Sequence, residues 1–150
     1  MIFVTVGSVA PFDELIEAAD QLAAEGKGGI AQIGNGKYVP INLKWFRFEK
    51  ELSRYYREAD VIITHTGAGT LFEIIREGKK AIAIPNPHVI LNHELAERLA
   101  QEGYIRFCRS VSDLGKIFSE LETWTPKRYI EGECKIPDII REFLLGSSKK

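Results

Sequence analysis

The chain has 150 residues, 45% of them hydrophobic, enough for one domain with a core on both sides of a sheet and too few for two. Its 20 basic and 21 acidic side chains leave a formal charge of −1, so nothing points to a nucleic-acid partner held by bulk electrostatics. Any recognition of phosphate has to be local.

Met1 to Val4 enters an apolar run at once, with no charged or apolar export region, and no run approaches the roughly 20 residues of a bilayer span. A cytosolic chain is expected. Ile2 to Val6 reads as a first strand that breaks at Gly7-Ser8-Val9-Ala10-Pro11. Phe12, Leu15, Ile16, Ala19, Leu22 and Ala23 then recur at helical spacing. That turn either exposes backbone N–H groups and the Ser8 hydroxyl to a ligand or is ordinary connection chemistry. Glu25-Gly26 ends the helix, and Ile30 to Ile33 forms a second strand. After the turn-rich loop from Gly34 to Pro40, Leu43 to Phe48 alternates as a third strand. Glu49 to Ala59 makes a short helix with Leu52, Tyr55, Tyr56 and Ala59 inward.

Val61-Ile62-Ile63 reads as a buried parallel strand, and Leu71-Phe72-Glu73-Ile74-Ile75 belongs to the helix that follows. Between them lies Thr64-His65-Thr66-Gly67-Ala68-Gly69-Thr70. Glycines at a strand-to-helix turn let a backbone approach a ligand, and the helix behind offers unpaired N–H groups and a positive dipole end to an anion. The same residues also fit a capping box, with Thr70 as cap and Glu73 reaching back three residues later. Both readings stand at this point. The helix stops at Glu77-Gly78. Lys79 to Ile84 is a fifth strand whose lysine pair is expected in solvent, followed by Pro85-Asn86-Pro87 and a polar run from His88 to Glu94. A helix with Leu95, Leu99 and Ala100 inward closes at Gly103. Tyr104 to Cys108 is a sixth strand, Val111 to Leu121 a helix capped by Ser112, and Ile136 to Leu145 a final amphipathic helix.

Strands alternating with helices predict an α/β fold, a Rossmann-like parallel sheet with helices on both faces and right-handed crossovers. Such sheets bind ligands beyond the carboxyl ends of their strands. Four loops fall there: Gly7-Ser8, Phe48-Glu49, His65 to Thr70, and Pro85 to His93. Cys108 and Cys134 lack metal-ligand spacing and are expected to be free thiols, and no Asp-x-Asp pair is present to hold a metal across a diphosphate. No metal and no cofactor is expected.

Several ordered motifs carry a resemblance to a known family: Phe3-Val4-Thr5-Val6-Gly7-Ser8 with Phe12-Asp13-Glu14-Leu15-Ile16, Gln32-Ile33-Gly34-Asn35-Gly36, and Ala59 through Thr70 with Glu73. Gly78-Lys79, Ile84-Pro85 and Glu94-Leu95-Ala96-Glu97 complete them. From Met1 to about Cys108 the chain resembles the glycosyltransferase family 28 C-terminal domain. Within it the likeness is strongest to soluble donor-binding subunits of two-part N-acetylglucosamine transferases acting on dolichol diphosphate-linked sugar, and to bacterial exopolysaccharide counterparts. The resemblance implies half of a GT-B fold holding a UDP-sugar, with UDP-N-acetylglucosamine the expected donor. Gly7 and Ser8 would lie near the diphosphate, the backbone of Phe48 and Glu49 near the uracil, and His65, Thr66, Gly67, Ala68, Gly69 and Thr70 along diphosphate and sugar. Glu73 would accept both ribose hydroxyls, as a carboxylate can from a diol. Where the family carries His-Gln, this chain has Asn92 and His93. Asn92 stands in for the sugar-contacting Gln with a shorter reach, and His93 is displaced from the family's His position.

An inverting transfer needs a base near the acceptor hydroxyl and charge stabilisation at the departing diphosphate. The sequence offers the second and no convincing base; His65 is expected on the donor side and His88 in an exposed loop. The partners implied are a membrane-anchored subunit that binds a lipid-linked acceptor and supplies the base, which would place this chain at the cytosolic membrane face. The segment 122–150 is expected to be a linker and helix that either packs on its own domain or docks that partner. A non-catalytic nucleotide-binding regulatory module is the alternative function.

Overall fold

The computed structural model describes residues 1–7, 10–26, 28–89 and 93–128. The elements run β1 (Ile2–Thr5), α1 (Asp13–Ala24), β2 (Gly29–Gln32), β3 (Lys44–Phe46), α2 (Ser53–Glu58), β4 (Val61–Thr64), α3 (Ala68–Glu77) and β5 (Lys80–Ala83). Then come α4 (Glu94–Gln101), β6 (Arg106–Phe107) and α5 (Leu114–Glu120). All described strand pairs are parallel, in the order β3-β2-β1-β4-β5-β6. The chain starts in the middle, walks out through β2 to β3, then crosses back to β4 and walks out the other way. That reversal opens a crevice between the carboxyl ends of β1 and β4. Register puts Thr5 level with Gln32 and Thr64, and Thr64 level with Ala83. The loops beginning near Val6, Ile33, His65 and Ile84 therefore leave the sheet at one height.

The strands read as unbroken apolar runs because both faces are covered. On one face Leu15, Ile16 and Ala19 of α1, with Leu114 of α5, pack over Val4, Ile63 and Ile82. On the other, Tyr55 and Tyr56 of α2, Leu71 and Ile74 of α3 and Leu95 and Leu99 of α4 cover Phe3, Ile62 and Ala81. Each such Leu or Ile contributes about 1.5–3 kcal/mol by leaving water. The α3 helix ends where Gly78 takes a left-handed φ of 69°, its N–H donating to the Ile75 carbonyl at 3.0 Å.

Several boundaries differ from the sequence expectation. The third strand ends at Phe46, and the Arg47 guanidinium turns aside to the carbonyls of Gly34 and Gly36 at 3.0 and 2.9 Å. The next helix starts at Ser53, since Glu49 is engaged in loop contacts: its N–H donates to Gln32 and its carboxylate accepts from the Tyr55 hydroxyl. The segment from Val111 is one 3-10 turn, α5 and a second 3-10 turn at Leu121–Thr123. Ser112 lies inside the first of these, its hydroxyl bonded to that of Ser110 at 2.6 Å, and it caps nothing. The lysine pair is half-buried, and Lys80 Nζ donates to the Leu121 carbonyl at 2.6 Å, tying the 3-10 turn after α5 to β5. Cys108 is a buried free thiol. The expected helix from Ile136 to Leu145 and Cys134 lie outside the described residues.

Candidate functional site

Two cavities share the carboxyl edge of the sheet. The larger, about 580 Å³, is mostly apolar, and its polar groups include His65, Thr66, His93, Arg109 and Glu14. The smaller, about 280 Å³, is bounded by Gln32, Phe48, Glu49, Tyr56, Thr70 and Glu73. Val6 and Gly7 line both. The first turn of α3, with Ala68 and Gly69 exposed, joins the Gly67 that lines one cavity to the Thr70 that lines the other.

The capping box does not form. Gly67 is the N-cap, extended at φ −66° and ψ 128° with no side-chain cap, and its carbonyl accepts from the Leu71 N–H at 3.0 Å. The helix thus starts at Ala68. Thr70 is its third residue and Glu73 its sixth, too far along to bond back to the helix start. The early start has a local cause: His65 Nδ1 accepts the Gly67 N–H at 3.0 Å, which folds the turn tightly ahead of Ala68, a strong helix former. The N–H groups of Ala68, Gly69 and Thr70 are left as a donor set at the positive end of the helix.

His65 also explains the glycines. A Cβ on Gly67 would stand 2.3 Å from His65 Cε1, and one on Gly7 would stand 3.0 Å from it. These two glycines make room for the imidazole, whereas Gly69 faces open space. Burial holds His65 below its ordinary value, so it is neutral at pH 7. With Nδ1 accepting from Gly67, the proton sits on Nε2.

On the other side of α3, Glu73 is exposed at the mouth of the smaller cavity and has no hydrogen-bond or ion-pair partner among the described residues. Burial first, and the Glu73 charge second, push the Tyr56 hydroxyl well above its ordinary value, while a hydrogen bond with Thr70 pulls it back. Glu49 is exposed and its carboxylate is taken by Tyr55 at 2.6 Å, so what this position offers the cavity is backbone. Gln32 holds that backbone in place. Its amide donates to Thr5 Oγ1 at 3.0 Å and the Val6 carbonyl at 3.2 Å, and its oxygen accepts from the Glu49 N–H at 3.3 Å.

Of the expected site residues, the structure gathers Gly7, His65, Thr66, Gly67 and His93 around the larger cavity and Gly7, Phe48, Glu49, Thr70 and Glu73 around the smaller. Ala68 and Gly69 lie between them; Ser8 and Asn92 fall outside the described residues. His93 precedes α4 as its N-cap and stacks on Phe107, with centroids 5.8 Å apart. His88 is exposed, yet its Nε2 meets Glu14 Oε1 at 2.8 Å and holds that carboxylate below its ordinary value. With Asn86 Nδ2 donating to the Pro11 carbonyl at 3.0 Å, this pair staples the loop after β5 to the start of α1 and the loop before it. Sequence reasoning missed Gln32 and Arg109. The signal for Gln32 was a polar residue closing a buried strand, and for Arg109 its place just past the carboxyl end of the sixth strand.

Comparison with known proteins fits this geometry. Residues 1–127 match the glycosyltransferase family 28 C-terminal domain. The human UDP-N-acetylglucosamine transferase subunit ALG13 is 35% identical over 123 residues, covering 71% of this chain and 11% of its own. A Campylobacter hominis N-acetylglucosamine transferase, named for an N-acetylmuramyl-(pentapeptide) pyrophosphoryl-undecaprenol substrate, is 29% identical over 124 residues, covering 76% of this chain and 36% of its own. The chain therefore spans only a minor part of these two relatives. Among solved structures, Acinetobacter baumannii MurG superposes with a TM-score of 0.63 at 24% identity, over 81% of this chain and 40% of that one. The solution structure of ALG13 gives 0.59 at 21%, over 83% and 87%. Both share the fold. With the family match running unbroken from β1 through α5, the chain belongs to the glycosyltransferase family 28 C-terminal domain family.

Proposed function

We propose that this chain is the donor-binding part of a metal-independent inverting glycosyltransferase, holding UDP-N-acetylglucosamine for transfer to a lipid diphosphate-linked acceptor. The observation that carries the reading is the uncapped start of α3 set between two cavities, with the unpartnered Glu73 carboxylate on one side and His65 on the other. In this reading the ribose diol hydrogen-bonds Glu73, and the uracil meets the Phe48-Glu49 backbone that Gln32 positions. The diphosphate lies on the N–H groups of Ala68, Gly69 and Thr70, and the sugar reaches towards His65 and His93, with Gly7 beside the diphosphate; the roles that the resemblance implies for Ser8 and Asn92 fall outside the described residues.

Transfer forms a bond from the acceptor hydroxyl oxygen to the sugar C1 while the C1–O bond to the diphosphate breaks. The hydroxyl proton passes to a base, and the departing negative charge is met by the α3 dipole and its N–H groups. The start of α3, uncapped by any side chain, supports assigning that stabilisation to the helix. The names of the relatives support the donor, and the Campylobacter protein's name supports a lipid diphosphate acceptor. No helix among the described residues is long and apolar enough to cross a membrane. In this proposal a membrane-anchored partner binds the acceptor, supplies the base and keeps the chain at the cytosolic membrane face.

Calorimetry with UDP-N-acetylglucosamine, with and without a chelator, tests the reading. Weak binding that survives chelation is expected. Loss of binding on chelation would overturn metal independence, and preference for another base would overturn the uridine assignment.

A further inference from the structure

The exposed large hydrophobic side chains among the described residues are Val39, Ile41, Trp45 and Phe48, all within ten residues of sequence along the free β3 edge of the sheet. Ile41 is 86% exposed. It does not reach this position through looseness. The buried Asp20 carboxylate accepts the N–H groups of Ile41, Asn42 and Leu43 at 2.9, 2.8 and 3.0 Å and the Tyr38 hydroxyl at 2.7 Å, pinning the loop with Ile41 outward. The Arg47 guanidinium lies over the Trp45 ring, 5.6 Å from its centroid.

The same stretch carries Lys37, Lys44, Arg47 and Lys50, all exposed, against a single acid, Glu49, whose carboxylate Tyr55 occupies. In a chain of formal charge −1 this is a local concentration of positive charge. Lysine on an edge strand guards against strand pairing, but exposed Ile, Val and Trp beside it work the other way and require a surface. Lysine is depleted in protein–protein interfaces, whereas apolar tips fringed by Lys and Arg match a membrane surface, where the tips enter the headgroup boundary and the cations meet anionic lipid.

We infer that the β3 edge, centred on Ile41 and Trp45 and flanked by Lys37 and Lys44, is a docking surface for an anionic lipid bilayer. It sits beside the donor cavities and does not depend on the donor reading, because lipid binding is measured without nucleotide. The contact is weak and reversible, since so few cations and apolar tips do not make a stable anchor.

The test is co-sedimentation of the full 150-residue chain with vesicles of phosphatidylcholine alone or mixed with phosphatidylglycerol. A Trp124→Phe background leaves Trp45 as the sole tryptophan reporter. Binding to the mixed vesicles only, falling with added salt and accompanied by a blue shift of Trp45 emission, is expected. The pair Lys37→Glu and Lys44→Glu should weaken it roughly tenfold or more, and Ile41→Ser should weaken it too, with far-UV circular dichroism unchanged. Absence of binding, equal binding to neutral vesicles, or binding indifferent to these variants would overturn the inference. So would finding that the patch instead drives self-association or protein-partner binding while vesicles are ignored.

Discussion

At the scale of single residues, Glu73 separates a structural role from a binding one. It is the sixth residue of α3, it caps nothing, and its exposed carboxylate has no hydrogen-bond or ion-pair partner among the described residues. Glu73→Gln therefore removes a charge without removing a packing or capping contact. Its melting temperature should stay close to that of the parent protein. UDP affinity should fall by about 1.5–3 kcal/mol, the range for hydrogen bonds to a charged group. Calorimetry beside a thermal melt checks both. A clear loss of stability with affinity intact would return Glu73 to a structural role and remove it from the ribose. Glu49 illustrates the opposite case, since its carboxylate is taken by Tyr55, so any contribution from that position comes through its backbone and through Gln32.

At the scale of an element, the β4-to-α3 turn turns on a distinction between two glycines that look alike in sequence. Gly67→Ala would press a Cβ into the His65 ring and dislodge it from the Gly67 N–H. A destabilisation of about 1–3 kcal/mol is expected from such overpacking, together with weaker nucleotide binding. Gly69 lies inside the helix with open space beside it, so Gly69→Ala should stabilise the fold by about 0.5–1 kcal/mol while crowding the proposed phosphate seat and lowering UDP affinity. Denaturant melts and calorimetry on the two variants read this contrast; equal stability losses would refute it. The order of strands and helices, and the four loops at one edge, were legible in the sequence because apolar period and glycine punctuation are local signals. The helix start was not. It depends on His65 folding back onto Gly67, a contact that no propensity at Thr70 reveals. The staple of Glu14 to His88 and the tie of Lys80 to Leu121 were hidden for the same reason, as each joins residues far apart in the chain.

At the scale of the whole molecule, the described residues line the site from one edge of the sheet. Both cavities open at the carboxyl edge of a single sheet, and every described residue lining them comes from that sheet's own loops and helices. In the proposed donor mode the described residues meet the donor from this one edge, so water can reach the sugar C1 and none of them orients an acceptor hydroxyl. Positioning and exclusion of water account for much of a transferase's rate, and neither is available without a facing wall. The candidate base is also wanting. His65 is neutral, but its Nδ1 accepts the Gly67 N–H, and the proposed donor mode uses it on the donor side. His88 is held by Glu14, and His93 lies against Phe107. The 150-residue chain alone should therefore bind donor without transferring it. Transfer should appear when a second wall is supplied, whether on another chain or on another part of a longer one. A radiolabelled assay with a lipid diphosphate acceptor, run on the purified chain and again after co-expression with a membrane-anchored partner, checks this. Multiple turnovers by the chain alone would mean that the larger cavity, with His93 and Arg109 at its rim, already contains an acceptor site and a working base.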